Sequence, residues 1–181
     1  MTSTATSAAS PLTAGRPSPK QQFLDAYERE HAITMKVLRA YPPEQAELQP
    51  HPKSKPAREL AWIFVLERGL GKAGLANAFA SGRTGGAPPA APASWNAVLD
   101  ALESAHADFR DTFASYTDEQ LLEPIKFFGG PQTVIDIPRI DFAWFLLSDQ
   151  IHHRGQLSIY LRMADAKVPS IYGPSGDEPW F

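Results

Sequence analysis

Apolar residues recur at intervals of three and four over long stretches of the chain, the spacing that places them on one face of an α-helix. Ser18-Pro19 is typical of a helix start, and Pro42-Pro43 of a helix stop. The same pattern predicts four long helices, at residues 19–41, 56–81, 94–116 and 138–164. A short helical turn is expected at 117–122, and a hairpin or extended loop at 123–137.

The predicted helices indicate an all-α fold, a four-helix bundle. The helix at 138–164 is apolar nearly all round in its first half, so we expect it to be the most buried and Phe145 to be enclosed. Residues 1–17 have the composition of a disordered tail, which leaves 18–181 as one domain. Residues 82–93 are predicted to be a flexible connector, and 167–181 an ordered strap.

A polar cluster interrupts the most apolar helix. Asp149 and His153 are four residues apart and share a helix face, where a carboxylate and an imidazole can hold one divalent metal ion. Gln156 lies on the same face and could orient a ligand. His152 is turned about 100° away, so we expect it to hydrogen-bond to a neighbouring helix. Arg154 is expected to pair with an acid on another helix.

The positions of three other titratable residues are interpreted from their neighbours in the sequence. Glu67 falls among the apolar positions of the second helix, where it is either a surface charge or an inward-pointing ligand. His31 lies near an apolar stripe and is interpreted as a core or boundary residue. His106 has polar neighbours and is expected to be exposed.

The amino-acid composition argues against several classes of function and metal ligand. The 181 residues are 43% hydrophobic with a net charge of −3, so there is no basic surplus for binding nucleic acid. The chain has no cysteine, so any metal must be held by His, Asp, Glu, carbonyls or water, and any reacting thiol must come from a substrate. No apolar run is long enough to span a bilayer and no signal-peptide pattern is present, which predicts a cytoplasmic protein without a membrane partner.

Three motifs carry a family resemblance: the segment from Asp149 to Arg162, the segment Val168-Pro-Ser-Ile-Tyr-Gly, and Pro50-His-Pro-Lys-Ser with Arg58-Glu-Leu-Ala-Trp62. Together they resemble the DinB/YfiT-like superfamily of damage-inducible proteins over most of the chain from about residue 20. The resemblance implies an up-down-down-up four-helix bundle, a homodimer and a stress-response role. It also implies three histidines on nickel or zinc, and thiol-dependent S-transferase or isomerase activity.

The resemblance carries over only in part to the metal ligands. His153 matches the last histidine, Asp149 stands four residues before it, and Ile63 occupies the second-helix histidine position. Glu67, one turn later, could substitute. Two carboxylates and one imidazole shift the expected metal toward manganese, iron or magnesium, with zinc and nickel still possible.

Two hypotheses about function follow. One is a metal-dependent enzyme that acts on a small-molecule substrate and transfers a low-molecular-weight thiol to an electrophile, with a hydrolase as the alternative reaction. The other is a non-catalytic bundle that has lost the metal and binds a small molecule or a protein partner. Ile63 favours the second hypothesis, whereas Asp149, His153 and Gln156 favour the first.

Overall fold

The computed structural model describes residues 15–82 and 86–181. Over these residues the chain is mostly helical and has one small sheet. Its elements are α1 (Pro19–Arg39), the 3-10 turn η1 (Pro43–Gln45), α2 (Ala57–Leu75), α3 (Trp95–Ala114), α4 (Asp118–Leu122), the antiparallel strands β1 (Pro124–Gly130) and β2 (Thr133–Pro138), and α5 (Arg139–Met163). The predicted tail lies outside the described residues up to residue 14, as do residues 83–85 of the predicted connector.

Local chemistry sets most helix ends. The Ser18 hydroxyl accepts a hydrogen bond from the backbone of Gln21 at the start of α1, and Ser94 caps α3 in the same way. The predicted extension of the second helix to residue 81 is wrong, because Asn77 takes a left-handed conformation (φ 56°). Its N–H and that of Ala78 then bond back to the last turn, which closes the helix at Leu75.

The four long helices pack against one another: α2 contacts α3 and α5, and α1 contacts the same two helices. Glycines allow α5 to approach α2 closely. A Cβ atom on Gly74 would lie 2.2 Å from the ring of Phe142, and one on Gly71 would lie 3.1 Å from Leu146. Because a later residue of α2 meets an earlier residue of α5, the two helices run antiparallel.

The expectation that the last helix is the most buried is wrong. Ten of the 25 residues of α5 are buried, compared with nine of the 19 residues of α2. Phe145 is 50% exposed and Trp144 is 38% exposed. The physical reason is that six consecutive apolar residues pass around the whole circumference of a helix, so some of them lie on the outward face.

The predicted strap at 167–181 has no helix or strand but is held by specific contacts. Lys36 donates to the carbonyl of Ser170 and to the carboxylate of Glu178. Val168 and Ile171 pack against the apolar core, whereas Trp180 and Phe181 are exposed. None of the helices in the described ranges is both long and apolar enough to cross a bilayer.

Candidate metal centre

The antiparallel packing of α2 and α5 places Glu67 opposite Asp149 and His153. Nδ1 of His153 lies 3.0 Å from Oε1 of Glu67 and 4.0 Å from Oδ1 of Asp149. One ligand atom from each of the three residues lies within 4.8 Å of the other two. The inward orientation of Glu67, which the sequence left open, follows from its position on the same helix face as the buried residues Leu60 and Phe64.

The Glu67 carboxylate is buried beside His153, its ion-pair partner at 3.0 Å, but without a well-aligned hydrogen bond. Its side chain is 6% exposed, and neither oxygen makes a hydrogen bond to any residue in 15–82 or 86–181. Nδ1 of His153 is close to Oε1, but the two atoms are not aligned for a hydrogen bond. A buried carboxylate in this condition is costly unless a proton or a cation compensates it.

Burial and mutual contact shift the pKa values of Glu67 and His153. Loss of hydration raises the pKa of Glu67 to about 7, although the neighbouring His153 opposes the shift. The Glu67 carboxylate in turn raises the pKa of His153 against the opposite effect of burial. Near neutral pH, the two side chains therefore compete for protons at the same point of the α2–α5 interface.

A divalent cation fits this arrangement. Donors that share one ion at about 2.0–2.2 Å lie about 3–3.5 Å apart. The 3.0 Å separation of Glu67 and His153 meets this condition, and the 4.0 Å separation of His153 and Asp149 would have to shorten when an ion binds. Two carboxylates supply negative charge, the imidazole supplies a nitrogen donor, and Glu67 has oxygens free to bind. Asp149 is the most exposed of the three, with 41% of its side chain accessible, so the cluster is open to solvent on that side.

The other predicted site residues have different roles. Ile63 is half-buried in the apolar cluster beside the centre. Gln156 is exposed and its amide pairs with His152 at 2.8 Å, so its orientation of a ligand stays a prediction. The same contact shows that His152 bonds within its own helix and not to a neighbouring one, because both side chains lie on the outward face of α5.

The expected pairing of Arg154 is confirmed. Its guanidinium is buried and donates to Glu30 of α1 at 2.8 Å. It also donates to the Tyr172 hydroxyl, which itself donates to Glu30 at 2.6 Å. Arg154 thus joins α5, α1 and the strap, and it serves the fold rather than the metal centre.

The expectation that His106 is exposed is wrong, since it is 4% exposed. It stacks on His31 with ring centroids 3.6 Å apart, and Tyr27 stacks on its other face. The expected core or boundary position of His31 agrees with its 8% exposure. The missed signal was the helical stripe of α3, in which His106 lies four residues after Leu102.

A buried arginine links this histidine stack to α2. Arg68 is 1% exposed and donates to Nδ1 of His31 at 3.3 Å, which fixes the proton of the His31 ring on Nε2. That proton points to Glu103 at 3.0 Å. His106 makes the equivalent contact with Glu28 at 3.2 Å, so each histidine pairs with an acid from the other helix.

Residues 26–157 match the family model of the DinB superfamily, and the chain belongs to that superfamily. It is 28% identical over 161 residues to the uncharacterized protein YrdA of Bacillus subtilis, covering 86% of this chain and 89% of YrdA.

Solved structures support the same fold. A DinB-like protein from Bacillus cereus superposes with a TM-score of 0.71 at 24% identity, covering 84% of this chain and 97% of that one. The DinB-like protein YjoA of Bacillus subtilis gives a TM-score of 0.63 at 17% identity, with coverages of 82% and 95%. The protein therefore has a DinB-like fold.

Proposed function

We propose that the protein is a metal-dependent enzyme whose centre is Glu67, Asp149 and His153. The observation that carries the proposal is the buried Glu67 carboxylate, which has no hydrogen-bond partner in the described chain and faces a histidine and a second carboxylate. Nickel, zinc, manganese and iron are the candidate ions. The replacement of the second-helix histidine by Ile63 makes this a variant of the three-histidine centre expected from the family.

The reaction that we propose is transfer of a low-molecular-weight thiol to an electrophilic small molecule. A bound divalent ion would lower the pKa of a thiol or water and so supply a nucleophile near neutral pH. Glu67 and His153 would hold the ion from two helices, and Asp149 would close the set from the solvent side. The pKa of about 7 belongs to Glu67 in the metal-free protein, and binding of the ion would displace the proton that this carboxyl carries near neutral pH.

We also propose that the four long helices form the up-down-down-up bundle expected from the family, and that two chains form a homodimer. Support for the dimer comes from the outward face of α5. This face carries exposed Trp144, Ile159 and Met163. Exposed apolar residues along one helix are a common basis of self-association.

The metal centre is tested by titrating untagged protein with Ni²⁺, Zn²⁺ and Mn²⁺ by calorimetry, together with elemental analysis of the protein as purified. The wild type should bind one ion per chain, and His153→Ala should weaken binding by at least about tenfold. His152→Ala is the matched control, because this neighbouring histidine is exposed and its side chain hydrogen-bonds to Gln156 rather than facing Glu67. Equal binding by both variants, or no binding by the wild type, would leave the non-catalytic hypothesis.

The activity is tested with metal-loaded protein, a low-molecular-weight thiol such as cysteine or bacillithiol, and a chromogenic aryl halide. Turnover should require the metal, the thiol and His153. A protein that binds metal but gives no thiol-dependent product with a panel of electrophiles would contradict the transferase and direct attention to hydrolysis.

A further inference from the structure

An apolar cavity of about 540 Å³ lies between α2, β1 and the segment that precedes α3. Its size is within the range of small-molecule binding sites, about 300–1,000 Å³. No charged or hydrogen-bonding side chain lines it within the described residues. Its walls are Leu70, Phe79, Phe127 and Phe128, with residues 86–88 on the remaining side.

The cavity lies next to the metal centre. Leu70 is three residues after Glu67 on α2, and Phe145 is four residues before Asp149 on α5, so each is a neighbour of a ligand on its own helix. Because α2 and α5 are antiparallel, Leu70 and Phe145 both lie on the side of the centre that faces β1. The cavity wall at Leu70 therefore begins one helical turn from Glu67.

Phe145 connects the cavity with the metal centre. Its ring centroid is 6.0 Å from that of Phe127 in the cavity wall, so its position is fixed by packing. It nevertheless stays 50% exposed, whereas Phe127 and Phe142 are buried. An exposed aromatic ring that continues an apolar cavity forms a contiguous apolar surface, and such surfaces mark binding sites more often than isolated exposed residues do.

We propose that this cavity, with Phe145 at its margin, binds the apolar, uncharged body of the substrate while the reacting group lies at Glu67, Asp149 and His153. The inference rests on the proposed metal centre and adds the substrate class. The phenylalanine rings favour a flat or aromatic group, since offset and edge-to-face contacts are available to it. A charged group would lose its hydration there without gaining a partner, so anionic bodies are excluded from the cavity.

The experiment compares two probes that chelate a metal through the same hydroxamate group, benzohydroxamate and acetohydroxamate. Their affinities for the nickel- or zinc-loaded protein are measured by calorimetry. Benzohydroxamate should bind about tenfold or more tightly, because only its phenyl ring reaches the cavity. Phe145→Ala and Phe128→Ala should each reduce this preference to less than about threefold, and neither should change the affinity for acetohydroxamate.

Phe181→Ala is the matched control, because it removes the same side chain from a fully exposed position away from the cavity. It should leave the preference unchanged. If acetohydroxamate binds in a metal-dependent way but benzohydroxamate binds no more tightly, or if both cavity variants keep the preference, the substrate-class proposal is overturned and the metal centre stands. If neither probe binds the metal-loaded protein, the ion has no open coordination position for a substrate and the substrate-class proposal is overturned. If the protein takes up no metal in the titration described above, the metal centre is overturned as well.

Discussion

Glu67 shows at residue scale what burial does to a carboxylate. A carboxylate that is 6% exposed has lost most of its hydration, and no hydrogen bond from residues 15–82 or 86–181 replaces it. This loss of hydration raises its pKa to about 7. Function and stability are therefore opposed at this position, because the group that would bind the ion destabilises the metal-free protein when it is ionised.

The substitution Glu67→Gln tests whether ionised Glu67 destabilises the metal-free protein. The pKa of Glu67 is raised from 4.5 to about 7, so between these values the folded protein keeps a proton that the unfolded chain has released. The stability contributed at this site therefore falls as pH rises through that interval. At pH 8 without metal, the variant should be more stable than the wild type by on the order of 1–3 kcal/mol in urea unfolding. It should also lose any metal-induced rise in Tm. A less stable metal-free variant would contradict this account.

The stacked histidines have the opposite pH dependence. Burial, with His31 and Arg68 nearby, lowers the pKa of His106 to about 4, and burial also lowers the pKa of His31, whose contact with Glu103 opposes the shift. Glu28 faces His106 from α1 and acts against its shift in the same way. The unfolded chain would bind protons at both positions below its ordinary pKa of about 6.5.

Stability from the stack should thus be complete above pH 6.5 and decline as pH falls toward 4. We expect a loss on the order of 2 kcal/mol in urea unfolding over that range. His106→Phe keeps an aromatic ring between Tyr27 and His31 and should flatten the decline, whereas replacement of the exposed His51 should not. The same slope in wild type and His106→Phe would count against the stack as its source.

Side-chain roles were predictable from the sequence only where spacing determined them. Asp149 and His153 share a face because they are four residues apart, and that holds in any helix. The apolar spacing of α3 also predicts a buried position for His106. Its polar neighbours in the sequence indicate an exposed position instead, and that indication is wrong. The pairing of Gln156 with His152 follows the same i,i+4 spacing, but the sequence does not show which of the two helix faces reached by Gln156 its amide turns toward.

At the scale of elements, the α2–α5 interface positions the centre, and two glycines set its spacing. A Cβ atom on Gly74 would lie 2.2 Å from Phe142 Cε1 and 2.4 Å from Cζ, so the helices would have to separate or the ring would have to move. A shift of about an ångström here would also change the distance between Glu67 and His153, which lie two turns along the same interface.

Gly74→Ala should therefore destabilise the protein by about 1–3 kcal/mol through overpacking, despite the better helix propensity of alanine. Gly69→Ala is a matched control in the same helix, because in residues 15–82 and 86–181 no atom outside its own stretch of helix backbone lies within 4 Å of its added Cβ. That variant should be neutral or more stable by up to about 1 kcal/mol. The comparison is made by thermal and urea unfolding. Equal effects of the two substitutions would contradict the close packing of α2 on α5.

Helix positions were predictable because apolar periodicity and N-caps are local signals. The end of α2 was not, because it depends on Asn77 adopting a left-handed conformation, which asparagine allows but does not require. The exposure of Phe145 was missed for another reason: a continuous apolar run carries no information about which side of a helix lacks a neighbour.

The whole molecule combines a DinB-like fold with a group of three side chains that could hold a metal ion and that differs from the three histidines expected for the family. An ion held between α2 and α5 would join two helices that lie far apart in the sequence, so metal binding should favour the folded chain. The position of the centre at a helix–helix interface and next to a cavity could not be derived from one sequence. It depends on the register of α2 against α5 and on the placement of β1, which are both tertiary properties.

The oligomeric state is a property of the whole molecule, and we expect a homodimer. The outward face of α5 carries Ile159 at 61% and Met163 at 49% exposure, with the small residue Gly155 one turn before Ile159. If two copies pair through this face, sedimentation velocity at micromolar concentration should give a species of twice 19.8 kDa. Ile159→Asp should convert it to the monomer, because a charge would be buried at the interface. Leu122→Asp is the control, since Leu122 is equally exposed but lies in α4. A wild-type protein that sediments only as a monomer, or an Ile159→Asp variant that still dimerises, would show that α5 is not the interface.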